Sequence, residues 1–258
     1  MPHMTAIRSR IVLLFGWIAL SSSGAMAQSS ADKAQYDTGN ASSGTVVATA
    51  QNASSALIGG NTAQAIALYS EALGAADLTR EKRAILLNDR GVALWRGFKP
   101  KEAIADFNDA VGLYPEYAAI YNNRGTVLLG LGLTDEAIKD FDRAILLGPR
   151  YATAYVNRAG AHVRRKAFDR ALRDYSKAAE LRPSDAVAFL GRGRTHLASG
   201  RPFAAQRDFT KGISLAPKRF EIDQNRSWAR LKVGRHAVAL EDLNQMVLLS
   251  ANTASVYV

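Results

Sequence analysis

Apolar and polar positions along this chain follow two regimes. Near the start, Ile11 to Leu20 (IVLLFGWIAL) is an unbroken apolar run, preceded by Arg8 and Arg10 and followed by small residues ending in Ala25-Met26-Ala27. A positive start, an apolar core and a small-residue exit are the order of a secretory signal over 1–27, with cleavage before Gln28. About 20 apolar residues are needed to cross a bilayer, so the run is too short to persist as a transmembrane anchor. Residues 28–45 are polar, rich in Ser, Gly and Ala, and aperiodic, which predicts a flexible linker. Beyond them the pattern becomes periodic, and similar residues return on a step of 34. Ala103, Ala137, Ala171, Ala205 and Ala239 share one column, and Phe107, Phe141, Tyr175 and Phe209 another. Ala110, Ala144, Ala178 and Gly212 make a third, Pro115, Pro149, Pro183 and Pro217 a fourth, and Gly91, Gly125, Ala159 and Gly193 a fifth.

Small, aromatic and proline signals at these offsets resemble the tetratricopeptide repeat, a helix–turn–helix unit. The resemblance implies an all-α fold, a right-handed superhelical solenoid of about six repeats. Small residues let neighbouring helices approach, the aromatic column fills the gap between layers, and Pro ends each second helix. Full units are expected at 84–117, 118–151, 152–185 and 186–219. Ala65, Tyr69 and Ala72 repeat the second-helix signature 38 residues before its next occurrence, so a unit at 46–83 carries extra residues between Gly74 and Lys82. A last unit at 220–253 has Leu243, Met246 and Ala251 where Phe, Ala and Pro are expected, and a short tail follows over 254–258. Terminal repeats commonly depart from the pattern because one side faces water.

Two polar columns run on the same period. Arg90, Arg124, Arg158, Arg192 and Arg226 hold one position of the first helix, and Asp106, Asp140, Asp174, Asp208 and Asp242 one position of the second. The matched numbers predict an Arg–Asp ladder, because the guanidinium fork suits a carboxylate and buried charges are seldom left unpaired. A row of anion-binding arginines is the alternative. A further row, Asn123, Asn157 and Asn225 with Asn88 and Asn122 one position earlier in their units, is interrupted by Asp89 and Gly191. By resemblance to the family these Asn positions face the concave groove, where amides that both donate and accept can satisfy an extended peptide backbone. Trp95, Trp228, Arg164 and Arg194 are placed on the same face as candidate anchors. The competing reading is that the Asn-Arg-Gly segment stabilises helix packing. Family members that grip a C-terminal carboxylate carry Lys and Arg at fixed groove positions; here those positions hold Asn88, Val92, Asn123, Thr153 and Asn157, so such a clamp is not expected.

Charge narrows the choice of partner. The chain of 258 residues carries 33 Lys+Arg against 23 Asp+Glu, a net +10. Residues 152–219 hold 15 basic and 5 acidic residues, whereas 84–151 hold 8 and 9. A basic patch including Arg165, Lys166, Arg170, Arg173, Arg201 and Arg207 should steer an acidic partner to that half. An export signal argues against nucleic acid and leaves acidic proteins, lipid headgroups or cell-wall polymers.

Candidate chemistry is sparse. With no cysteine there is no disulfide, thiol nucleophile or Cys-ligated zinc. His162 and His196 stand 34 apart in a packing column, and there is no phosphate loop, nucleophile elbow or metal-spaced His pair. No catalytic residue, metal or cofactor is therefore expected, and the repeats leave no room for a catalytic domain. The expected function is a non-catalytic exported scaffold, most simply periplasmic, that binds an unidentified protein or extended peptide in its groove. The alternatives are electrostatic binding of an anionic envelope polymer or membrane surface through 152–219, and self-association through the ends of the solenoid.

Overall fold

A computed structural model of the chain describes residues 41–217 and 220–254. The expected signal segment, most of the expected linker, Lys218, Arg219 and the tail beyond Ala254 lie outside the described residues. Among the described residues all regular structure is helical, in twelve helices. They are α1 Ala41–Ile58, α2 Thr62–Leu73, α3 Arg80–Arg96, α4 Pro100–Leu113, α5 Ala118–Gly130 and α6 Thr134–Leu147, followed by α7 Ala152–Arg164, α8 Phe168–Leu181, α9 Ala186–Ala198, α10 Pro202–Leu215, α11 Phe220–Lys232 and α12 His236–Ala254. Helix α1 begins inside the stretch expected to be linker. Consecutive helices pair into antiparallel hairpins, and the chain divides into two compact units, Met1–Pro149 and Arg150–Val258, of three hairpins each.

Local chemistry sets the helix ends. Asn61, Thr79 and Asp185 cap α2, α3 and α9 by accepting from the amides of Gln64, Lys82 and Val187. Pro100 and Pro202 open α4 and α10, where a missing amide proton costs nothing. Second helices α4, α6, α8 and α10 stop at Tyr114, Gly148, Arg182 and Ala216, whose φ lies between −131° and −142°. Each precedes a proline, which excludes the helical conformation at that position. The turn inside every hairpin contains one left-handed residue: Gly60, Gly132, Gly200 and Gly234, but also Phe98 (φ 60°) and Lys166 (φ 57°). A side chain in that conformation is strained, and Phe98 is 92% exposed as well.

The core follows the columns. Ala65, Ala103, Ala137, Ala171, Ala205 and Ala239 are fully buried, as are Phe107, Phe141 and Phe209. Gly91, Gly125 and Gly193 lie under those three rings; a methyl group on Gly193 would stand 2.6 Å from Cε1 of Phe209. Glycine is therefore required by close approach. Within each unit the second helix of one hairpin packs on the first helix of the next, and first helices of neighbouring hairpins touch more closely than second helices do. The first helices thus form the inner face of each unit. In the last hairpin Leu243 is half-buried where Phe107, Phe141 and Phe209 are fully buried in theirs, and Leu240, Val247 and Leu248 are exposed. No helix among the described residues is long and apolar enough to cross a membrane.

Candidate functional site on the first helices

The arginine column is committed to structure. In α3, α5, α7 and α9 the Nε and Nη2 of Arg90, Arg124, Arg158 and Arg192 donate to the two carboxylate oxygens of Asp106, Asp140, Asp174 and Asp208 at 2.7–2.9 Å. The carboxylates are 6–7% exposed, so these are the two-pronged, largely desolvated pairs in which an ion pair is strong. A third contact was not foreseen. Nη1 of Arg90, Arg124 and Arg192 donates to Ser70, Asn108 and Ser176 on the second helix of the preceding hairpin. Each arginine so ties three helices of its unit together. In the last hairpin Arg226 and Arg230 both converge on Oδ1 of Asp242, and its Oδ2 is buried without a hydrogen bond. Aromatic residues one turn earlier stack on the guanidinium groups, with Tyr121, Tyr155 and Phe189 centred 5.5–5.7 Å from Arg124, Arg158 and Arg192. His162 and His196 sit 3.9 and 3.8 Å from the paired Asp174 and Asp208, and burial pulls His196 below the ordinary imidazole range.

The amide row divides into supports and presented groups. In the first unit Asn88 and Asn122 are buried, at 2% and 0% exposure, while Asp89 and Asn123 reach the surface of the first-helix face. Nδ2 of Asn122 donates to Oδ1 of Asn123 at 3.3 Å, Nδ2 of Asn123 to Oδ1 of Asn88 at 2.9 Å, and Nδ2 of Asn88 to Oδ1 of Asp89 at 3.0 Å. Asp89 ends the series as acceptor, and the three amides donate in one direction toward it. Burial pushes its carboxyl up to about 7, against a smaller downward pull from the Asn88 amide. Tyr69 of α2 lies close enough that the charge on Asp89 adds to burial in raising the phenol, whose hydroxyl is hydrogen-bonded to Ser54 of α1. Trp95 is partly buried and packs on the core of this unit.

In the second unit Asn157 is buried, Arg194 is half-buried with its Nε 3.4 Å from Oδ1 of Asn225, and Arg164 is exposed. Trp228 is 57% exposed beside a pocket of about 450 Å³ shared with Leu197, Pro202 and Lys232. Gly191 breaks the amide row for a steric reason: a Cβ there would stand 2.3 Å from Cε1 of Tyr175. Along the sequence, tyrosine in the aromatic column precedes both breaks, Tyr69 before Asp89 and Tyr175 before Gly191, whereas phenylalanine precedes Asn123, Asn157 and Asn225. That correlation was present in the sequence; its meaning needed the position of the tyrosine ring. The six basic-patch residues Arg165, Lys166, Arg170, Arg173, Arg201 and Arg207 are all exposed, in the turns and on the outward faces of α8 and α10. They do not share the first-helix face. Arg201 donates to Asp169 at 3.1 Å, an exposed pair of small energetic weight. Among the described residues no cluster of His, Asp and Glu is placed to hold a metal ion.

Hairpins built on small and aromatic columns, closed by proline and presenting polar side chains from their first helices, define a helical-repeat interaction module. The tetratricopeptide repeat family profile matches residues 51–118 and 122–186, more than half of the chain, which therefore belongs to that family. Members of the family mediate protein–protein interaction. Among solved structures the fold is similar to PilW, a widely conserved type IV pilus biogenesis factor, with TM-score 0.71, 22% identity, and 81% of this chain and 93% of that one covered. A tetratricopeptide repeat protein from Parabacteroides merdae gives TM-score 0.63 at 20% identity over 79% of each chain. MamA from Desulfovibrio magneticus gives 0.60 at 19% identity, covering 66% of this chain and 96% of MamA. At these identities the likeness establishes the fold. No curated protein matches the sequence.

Proposed function

We propose that the chain is a non-catalytic, exported scaffold that holds a protein or an extended peptide against its first-helix face. The observation that carries this reading is the hydrogen-bonded series Asn122–Asn123–Asn88–Asp89. Buried amides there fix the orientation of two partly exposed polar groups, which lowers the entropy lost when a ligand engages them. Arg194 and Asn225 offer a second polar pair on the first helices of the other unit. Export rests on the signal-like residues 1–27, and a periplasmic destination agrees with resemblance to a pilus biogenesis factor. The test is capture from an envelope extract on the immobilised full chain at low and high salt, with retained proteins identified by mass spectrometry. A small set surviving high salt, and lost from a variant with Asn123→Ala and Arg194→Ala, is the expected result. Retention unchanged in that variant would overturn the assignment to the first-helix face.

A second reading has its own observation. Exposed cations on the outward faces of α8 and α10 form a surface separate from the first helices of that unit, suited to an anionic polymer or membrane surface. It predicts many acidic species released by salt.

A further inference from the structure

We infer that Asp89 is a cation-receiving subsite on the first-helix face of the first unit, taking the lysine or arginine side chain of an extended peptide. This deepens the scaffold reading above and rests on it. Asp89 holds the register position that Asn123, Asn157 and Asn225 hold in other repeats, so the substitution replaces a neutral amide by an acceptor of the same shape. Every ladder aspartate has its arginine, whereas among the described residues no Lys or Arg lies within ion-pair distance of Asp89. The arginines nearest to it in sequence on its helix are already engaged. On α3 itself, Arg90 is held by Asp106 and Ser70, Arg83 by the carbonyls of Leu73 and Ala75, and Arg96 by the carbonyl of Leu57.

What surrounds the carboxylate is neutral on every side. Asn88 faces it from α3, with Asn123 of α5 behind that amide, Tyr69 faces it from α2, and Ser54 of α1 holds the tyrosine hydroxyl. A single amide donor satisfies Oδ1 and leaves the second oxygen as an acceptor. A half-buried carboxylate lacking a counter-ion attracts a cation with less screening by water than a fully exposed one does. Burial of the group, which already raises its carboxyl, makes an incoming ammonium or guanidinium group the natural compensation. The amide series adds selectivity: all three amides point their donors toward Asp89, so the carboxylate is held in place before the ligand arrives.

The experiment probes the full chain with an array of random nonapeptides, N-acetylated and C-amidated so that side chains are the only charges. Wild type should retain peptides enriched in Lys or Arg by about tenfold over neutral residues. Asp89→Asn, which supplies the amide found elsewhere in the row, should abolish that enrichment while peptides are still retained, and Asp89→Glu should keep it. Circular dichroism of both variants should match wild type. Enrichment that persists in Asp89→Asn, or is missing from wild type while peptides are retained, overturns the subsite and leaves the groove standing. Retention of no peptide by any of the three proteins overturns both readings.

Discussion

The two units are built on the same plan and finished differently. Both use buried alanine columns, aromatic rings seated on glycine or alanine, and arginines that grip an aspartate on the neighbouring helix. The first unit carries close to equal numbers of acidic and basic residues over 84–151 and presents a carboxylate without a counter-ion, Asp89, on its inner face. The second is strongly basic over 152–219, has glycine at the corresponding position, and exposes Trp228 and a spread of arginines. The lesson is that residues fixing the hairpin geometry recur on the period, while residues free to vary on it carry whatever distinguishes one stretch of the surface from another. Shared features should therefore respond alike to mutation in either unit, and unshared ones should not.

The largest effect is expected from the shared ladder. Arg124→Ala and Arg192→Ala each leave a buried aspartate without its ion pair, and each should lower stability by about 3 kcal/mol. Thermal or denaturant unfolding of the two variants checks this; a large loss in one unit with none in the other would break the claim of a common frame. Next comes Gly191→Asn, which completes the amide row in the second unit. Its Cβ would collide with the Tyr175 ring, at a cost of about 2 kcal/mol. A neutral or stabilising outcome in the same unfolding assay would show that the ring does not enforce the break.

Asp89→Asn tests the same register position in the first unit, with opposite sign. The folded carboxyl is raised to about 7 from an ordinary 3.8, so protonation is favoured in the folded state. Its contribution is fully present below about pH 4 and is lost as pH rises through 7, which makes wild type relatively weaker in alkaline buffer. The variant should match wild type near pH 4 and exceed it near pH 8 by about 1–3 kcal/mol. Melting curves that differ by the same amount at both pH values would contradict the assignment. The smallest structural effect is expected from Arg170→Glu with Arg173→Glu, both exposed on α8. Stability should change by less than about 0.5 kcal/mol, while low-salt binding of anionic vesicles falls. Unchanged vesicle binding would remove the basic surface from consideration.

Much of this was legible in the sequence because packing leaves a periodic record. Phe107, Phe141 and Phe209 recur at the places where a large ring must fill the space between layers, and the paired Arg and Asp columns announced the ladder before any distance was known. What escaped was whatever depends on direction rather than spacing. Asn88 and Asn122 belong to the row expected to face the groove, yet they are buried and serve to orient Asp89 and Asn123. Adjacent positions on a helix point about 100° apart, and a column of letters does not say which of the two meets solvent. The breaks at Asp89 and Gly191 read as interruptions until Tyr69 and Tyr175 were seen to lie against them. The left-handed turns at Phe98 and Lys166 were hidden for a related reason, since glycine marks that conformation in the other hairpins and these two do not use it.

The central claim is that a partner engages the first helices rather than the outward basic surface. Site-specific photo-crosslinking decides it most directly, with a benzophenone amino acid placed in turn at Asn123, Arg194, Arg173 and Arg207 of the full chain in envelope extract. Adducts from positions 123 and 194 that persist at high salt are the predicted result. Adducts confined to positions 173 and 207, and abolished by salt, would contradict the account and move the binding function to the cationic faces of α8 and α10.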